Sequence, residues 1–395
     1  GGGDNPRNIM MSPLSGVQKG EAFDVKPYAE AAAEYLLSIA GEIHMPRKLK
    51  VAFCNGADDT VHSAFRDMGF MANLDGTFTL RIAGGLGGGY KMGVLVDEHV
   101  PATEILYYIR AMIETFCQHG NYENRAKART RFMQETLGVD GLKAAFLENV
   151  AKMKEKGGLD LHVTAKPVTK KGSGEIVDKR VVAQKQPGLY AVAYHPIGGC
   201  LPAGKPAELL TLVREIPDAE CRIAPHETIY IINLTADEAE KVLEVTNDGA
   251  QSTFENSVAC IGAAICQQGV RDSQAALRAA VEAVREAKIP DGALPRICIS
   301  GCPSSCSGHQ VAALGFQGAA KTVDGKPESA FKMFVGGSDK LGAAKFGEAG
   351  AVILERDLPK FFVDLGKAVA SRNMNWETWI AEHEDEFKTI VEKYA

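Results

Sequence analysis

The stretches Ala259-Cys260-Ile261-Gly262-Ala263-Ala264-Ile265-Cys266 and Ser300-Gly301-Cys302-Pro303-Ser304-Ser305-Cys306-Ser307-Gly308 place four cysteines in two tight pairs. The pattern is C-x5-C, a gap of 35 residues, then C-x3-C. Clusters of iron and sulfide are held by four thiolates, and glycine and serine neighbours let backbone N–H groups approach the sulfurs. The spacing is neither the C-x2-C rhythm of ferredoxins nor the usual pairing of zinc ribbons. Three other readings stay open at this level: cysteines buried as small hydrophobes, a structural zinc site, and disulfides. Cys54, Cys117, Cys200, Cys221 and Cys298 lack such company and are expected to be buried thiols.

Other segments join these. They are Asp4-Asn5-Pro6-Arg7-Asn8, Met45-Pro46-Arg47-Lys48-Leu49-Lys50, Gly84-Gly85-Leu86-Gly87, Asn124-Arg125-Ala126-Lys127-Ala128-Arg129, and Gln310 through Gly315-Phe316. Together with the cysteine spacing they make the chain resemble the siroheme nitrite and sulfite reductases over nearly its whole length. The resemblance implies an α+β protein of the nitrite/sulfite reductase fold, with two pseudo-symmetric α/β modules around siroheme and a ferredoxin-like half-domain. It implies siroheme and a [4Fe-4S] cluster as cofactors. Cys260, Cys266, Cys302 and Cys306 would hold the cluster, and Cys306 would also be the axial ligand of the siroheme iron. In relatives a cysteine following the Arg-Asn pair can cross-link to a tyrosine; this chain has Met10-Met11-Ser12 there, so that modification is expected to be absent.

A duplication is visible by eye. Pro46-Arg47, a strand, His62, Gly69-Phe70, Asp75-Gly76, a strand and Gly84-Gly85 recur as Pro295-Arg296, a strand, His309, Gly315-Phe316, Asp324-Gly325, a strand and Gly336-Gly337. On this reading the first copy carries Lys48 and Lys50 where the second carries cysteines. Four segments are expected: a substrate and siroheme module over 1–151, a basic linker over 152–187, the half-domain over 188–250, and an iron-sulfur and siroheme module over 251–395. The linker is rich in lysine and carries Gly157-Gly158 and Gly172-Ser173-Gly174.

Local patterning predicts a helix over 27–43, strands at 49–53, 78–82, 190–194 and 228–232, and helices over 102–118, 123–137 and 206–215. In Lys48-Leu49-Lys50 a strand period of two turns both ammonium groups to one face and Leu49 to the core. Such a pair attracts an anion and lowers its own pKa by mutual repulsion. Arg7, Lys48 and Lys50 are therefore the catalytic candidates around a small oxyanion. Siroheme carries eight carboxylates, and Arg47, Arg125, Lys127 and Arg129 are the cations expected to meet them, with Arg125 and Arg129 on one face of the 123–137 helix. The run from Gly84 to Gly89 lacks the lysine and hydroxyl of a phosphate loop, and Gly84 and Gly85 read as a floor against a flat macrocycle.

The resemblance implies six-electron reduction of sulfite to sulfide, Lys50 favouring sulfite because nitrite reductases of plant type carry asparagine there. Nitrite reduction to ammonia is the alternative within the family, and a non-catalytic iron-sulfur or zinc-stabilised binding protein the alternative outside it. No flavin, nicotinamide or ferredoxin-type motif is present, so electrons would come from a separate ferredoxin or flavoprotein. The net charge of -6 argues against nucleic-acid partners, and no apolar run is long enough for a membrane span. A cytoplasmic location is expected. The opening Gly1-Gly2-Gly3-Asp4, without methionine, reads as the start of a fragment whose relatives carry a further upstream segment.

Overall fold

The computed structural model describes residues 3–395. The chain divides into two compact units: residues up to Ala191 with Asp218–Pro225 and Ile232–Ala239, and Val192–Pro217 with His226–Ile231 and Glu240–Ala395.

The first unit is built on a five-stranded sheet of order β1-β2-β3-β4-β5: Met10–Met11, Val51–Cys54, Met68–Ala72, Thr77–Ile82 and Val94–Pro101. The first two pairings are parallel and the last two antiparallel. Strand β4 alternates half-buried and buried side chains, with Phe78, Leu80 and Ile82 inward, as the period of two requires. Phe53, Phe70 and Phe78 meet within 5.7 Å between ring centroids, and residues of helices α1 (Lys26–Ile39), α2 (Ile105–His119), α3 (Met133–Thr136) and α4 (Gly138–Lys156) complete that core.

Between residues 181 and 245 lie β6 (Val181–Ala183), β7 (Tyr190–Tyr194), α5 (Lys205–Glu215), β8 (Glu220–Ile223), β9 (Ile229–Leu234) and α6 (Ala236–Val245). Their strands form a four-stranded sheet of order β6-β7-β9-β8. The second unit then repeats the first sheet as β10-β11-β12-β13-β14: Val258–Ala259, Ile297–Ser300, Leu314–Val323, Lys326–Val335 and Glu348–Leu354. Helices α7 (Ser273–Glu286), α8 (Leu358–Ser371), α9 (Trp376–Glu382) and α10 (Glu384–Glu392) supply its cover, around Phe316, Phe361 and Phe362.

The duplication is real at the level of register. Val51 pairs with Met68 and Ile297 with Leu314, both parallel and both 17 residues apart, and each sheet then turns antiparallel twice. Gly69 and Gly315 occupy the same place for the same reason. A Cβ would lie 2.0 Å from the Ser63 carbonyl oxygen in the first copy and 1.8 Å from that of His309 in the second, so only glycine fits.

Three expectations change. The register equates Lys48 and Lys50 with Leu294 and Arg296, and Cys302 and Cys306 with Gly56 and Thr60, so the lysines precede one strand while the cysteines follow the other. The 123–137 segment is not one helix. It runs as a 3-10 turn over Arg125–Lys127, an extended Arg129, a second 3-10 turn over Thr130–Phe132 and then α3. Arg125 and Arg129 therefore share no helical face. The linker boundary at 152 falls inside α4, and residues 188–250 are divided between the two units. Between 157 and 180 no helix or strand forms, and its lysines are partly tied down, as in the Lys170–Glu238 pair at 2.6 Å.

Candidate functional site

In the first unit the cationic candidates gather around one carboxylate absent from the sequence-based list. Asp67 is fully buried just ahead of β3. It accepts the Lys50 backbone N–H at 2.9 Å and both its oxygens accept from Arg129 Nη2, at 3.1 and 2.9 Å; Thr130 Oγ1 also donates to it. The extended Arg129 backbone that breaks the expected helix is what carries this guanidinium to Asp67.

Leu49 is fully buried, and Lys48 and Lys50 flank it half-buried, as the period-two reading requires. The Lys50 ammonium is pushed down from 10.5 to about 7, first by burial, then by the positive charges of Arg66 and Arg129. Lys48 contributes least, and Asp67 opposes the shift. The mutual repulsion expected of the Lys-x-Lys pair is thus a minor cause. Burial also brings Arg66 and Arg131 down to about 10. Arg7 is held beside the pair through its backbone N–H on the Leu49 carbonyl at 2.8 Å, and its side chain donates to the Gly3 carbonyl at 2.7 Å.

Arg131 is the second residue that sequence reasoning missed, one turn beyond the last arginine it considered. Its Nε donates to the Gly88 and Gly89 carbonyls and its Nη2 to Gly88 at 2.6 Å. Buried Nη1 has no partner and lies 3.1 Å from where a Gly85 Cβ would stand, so the glycine run here makes room for a guanidinium. Gly84 is equally crowded, its would-be Cβ 2.8 Å from the Arg66 carbonyl oxygen. Arg47 and Arg125 share Asp4, at 2.9 and 2.8 Å, and Arg125 first, then Arg47, hold its carboxyl below the usual range. Lys127 is exposed on the 3-10 turn.

The energetics of Lys50 make a prediction. The unfolded chain keeps this proton to near 10.5 and the folded chain only to about 7, so the folding penalty is complete below pH 7 and fades as pH rises toward 10.5. Lys50→Met should raise the unfolding free energy by roughly 4 kcal/mol at pH 6 and by far less at pH 10. Urea unfolding at the two pH values checks this, and an equal gain at both would contradict it.

In the second unit the cysteine loops adjoin. Strand β10 leads directly into Cys260, whose Sγ accepts the Gly301 N–H at 3.1 Å and lies 3.2 Å from Ser273 Oγ at the start of α7. The Gly301 carbonyl accepts from Val270 and Arg271, which folds the 260–271 loop back onto the residue before Cys302. Ser300 and Ser307 share a hydroxyl hydrogen bond at 2.6 Å and bring the Cys306 loop to the same strand end. Cys302 is buried, Cys260 and Cys266 half-buried, Cys306 exposed. Among the described residues, no three His, Cys, Asp or Glu side chains converge on a point that would hold a single metal ion. Of the other cysteines, Cys54 and Cys298 are buried, with thiols pushed up to about 12 chiefly by burial, and Cys117 is half-buried. Cys200 and Cys221 are exposed, against expectation.

The solved NirA protein of Mycobacterium tuberculosis superposes with a TM-score of 0.76 at 22% identity, over 97% of this chain and 72% of that one. Residues 2–154 match the family model described as nitrite and sulphite reductase 4Fe-4S domain. Chloroplastic ferredoxin–nitrite reductase of Arabidopsis thaliana is 28% identical over 364 residues, 85% of this chain and 59% of the relative. Ferredoxin–nitrite reductase of Synechococcus elongatus is 26% identical, over 91% of this chain and 71% of the relative. A Mycolicibacterium paratuberculosis protein named sulfite reductase [ferredoxin] 1 is 25% identical, over 85% and 61%. The chain is thus similar to nitrite and sulfite reductases along most of its length. It spans about three fifths of the length of the plant relatives. The model match falls on the first sheet copy, whereas all four paired cysteines lie in the second.

Proposed function

We propose that the chain is the catalytic part of a sulfite reductase, carrying siroheme and a [4Fe-4S] cluster and taking electrons from a separate ferredoxin or flavoprotein. The observation that carries the reading is the cationic cluster of Lys50, Arg66, Arg129 and Arg131 around Asp67, with Asp59 also acting on Arg66 and Glu135 on Arg131. The four cations outnumber these three carboxylates, and Arg131 keeps an unpaired buried donor, so the cluster calls for further negative charge. An oxyanion and the carboxylates of siroheme are such charge.

Within this reading Arg7, Lys48 and Lys50 face the anion. A bound anion raises the Lys50 pKa from about 7, keeping its ammonium charged and placing a proton donor beside the substrate at neutral pH. Arg47, Arg125, Lys127, Arg129 and Arg131 are the candidate partners of the macrocycle's carboxylates, while Gly84 and Gly85, expected as a floor for the macrocycle, instead make room for the Arg66 backbone and the Arg131 side chain. Cys260, Cys266, Cys302 and Cys306 fit the cluster by donor chemistry. Cys260 follows β10 and Cys302 and Cys306 follow β11, with a backbone N–H already on the Cys260 sulfur. The bound cofactors supply the low-potential electrons. The names of the plant and cyanobacterial relatives favour nitrite as the second reading.

The test is an absorption spectrum with iron and acid-labile sulfide analysis of the purified chain, followed by turnover of both anions with a chemically reduced viologen. An intense Soret band, labile sulfide and anion-dependent oxidation of the viologen are expected. Cys306→Ser should keep the Soret band but shift it and remove magnetic coupling between heme and cluster. Colourless, iron-free protein would overturn the reading.

A further inference from the structure

The second sheet copy keeps the frame of the cationic site but not its filling. The first copy pairs Gly85 with Lys91 across an isolated bridge, and the second pairs Ser338 with Lys345 in the same way. Lys50, Arg66 and Asp67 correspond through the register to Arg296, Ala312 and Ala313. Replacing a guanidinium and a carboxylate by two methyl groups leaves space. The structure has a cleft of about 630 Å³ there, bordered by Leu294, Ala312 and Ala313 and walled by Trp376 at the start of α9.

Five charged side chains line this cleft. Arg296 pairs with Asp339 at 3.0 Å and Lys340 with Glu377 at 2.8 Å, while Lys345 is exposed and, among the described residues, forms no ion pair. One positive charge is left over. We propose that this cleft binds a small organic monoanion, an aryl carboxylate or sulfonate, with its apolar body against Ala313 and Ile380 and its acid group on Lys345. The volume is that of a small-molecule pocket, and the mix of apolar wall and few converging polar groups is what such pockets share. The apolar lining favours a hydrocarbon body, and the single excess cation favours a single negative charge. The proposal does not depend on the catalytic reading.

The chain contains only two tryptophans, Trp376 at the cleft wall and Trp379 with its ring centroid 6.1 Å away, both buried, so selectively excited tryptophan fluorescence reports on this place alone. Titration with naphthalene-2-sulfonate should quench it saturably, with the same curve when sulfite is present in excess. Lys345→Glu should weaken the binding about tenfold or more, since it reverses the one uncompensated charge. The variant keeps its fold because the Ser338–Lys345 bridge is made by backbone atoms. No saturable quenching, loss of quenching on adding sulfite, or equal affinity in Lys345→Glu would each overturn the proposal.

Discussion

Asp67→Ala should destabilise the first unit by about 3–5 kcal/mol, the scale on which removing one partner of a buried ion pair acts. Asp67 is fully buried and receives the Lys50 backbone N–H, both bonds from Arg129 Nη2 and the Thr130 hydroxyl. Without it, Lys50 and Arg129 lose Asp67 as counter-charge, Arg66 keeps Asp59, and the Lys50 ammonium loses the one group that raises its pKa. Asp67→Asn keeps shape and an acceptor for the Lys50 N–H but removes the charge, so its cost should fall between wild type and alanine. Arg129→Ala combined with Asp67→Ala should cost less than the two single losses added, because each single change strands the other partner. Urea unfolding of the four proteins measures this. A loss below about 1 kcal/mol for Asp67→Ala would show that the carboxylate does not organise the cluster.

How much of this was readable in advance follows from the range of each interaction. Leu49 and its flanking lysines follow from a period of two, and β7 at Tyr190–Tyr194 from a compact run of apolar and aromatic residues; both are local, and both appear as read. The duplication was legible because Gly69-Phe70 and Gly315-Phe316 are pinned by a close backbone approach that no other residue tolerates. The break in the 123–137 segment was not legible. Nothing in its helical spacing reveals that Arg129 must extend to reach a carboxylate 62 residues earlier. Asp67 itself carried a faint signal, an Arg-Asp pair set between Ala64-Phe65 and Met68-Gly69-Phe70, where charge in an apolar run asks for a buried partner. The cysteine spacing revealed two loops that meet at one strand end. It did not reveal how the loops fold onto one another, because their conformation rests on contacts such as Val270 and Arg271 with Gly301, which spacing does not encode.

Lys50→Asn should lower kcat/KM for sulfite about 100-fold and for nitrite about tenfold. The argument is one of charge. A single ammonium attracts a dianion twice as strongly as a monoanion at equal distance, so removing it costs twice the free energy and the square of the rate factor. A charge-assisted hydrogen bond contributes about 1.5–3 kcal/mol, which sets the larger loss near two powers of ten. Lys50 is the cation that fits this role, since burial and the neighbouring Arg66 and Arg129 bring its pKa to about 7 and leave it most responsive to an incoming negative charge. The responsiveness should appear in the pH profile. With Lys50 present, kcat/KM for sulfite should fall as pH rises above about 7 and the free enzyme loses that proton; in Lys50→Asn this limb should flatten. Steady-state rates with both anions, each measured from pH 6 to 9, separate the outcomes. Equal fractional losses for sulfite and nitrite would remove Lys50 as the selector and leave the nitrite reading the stronger one. An unchanged alkaline limb in the variant would assign the titration to another group.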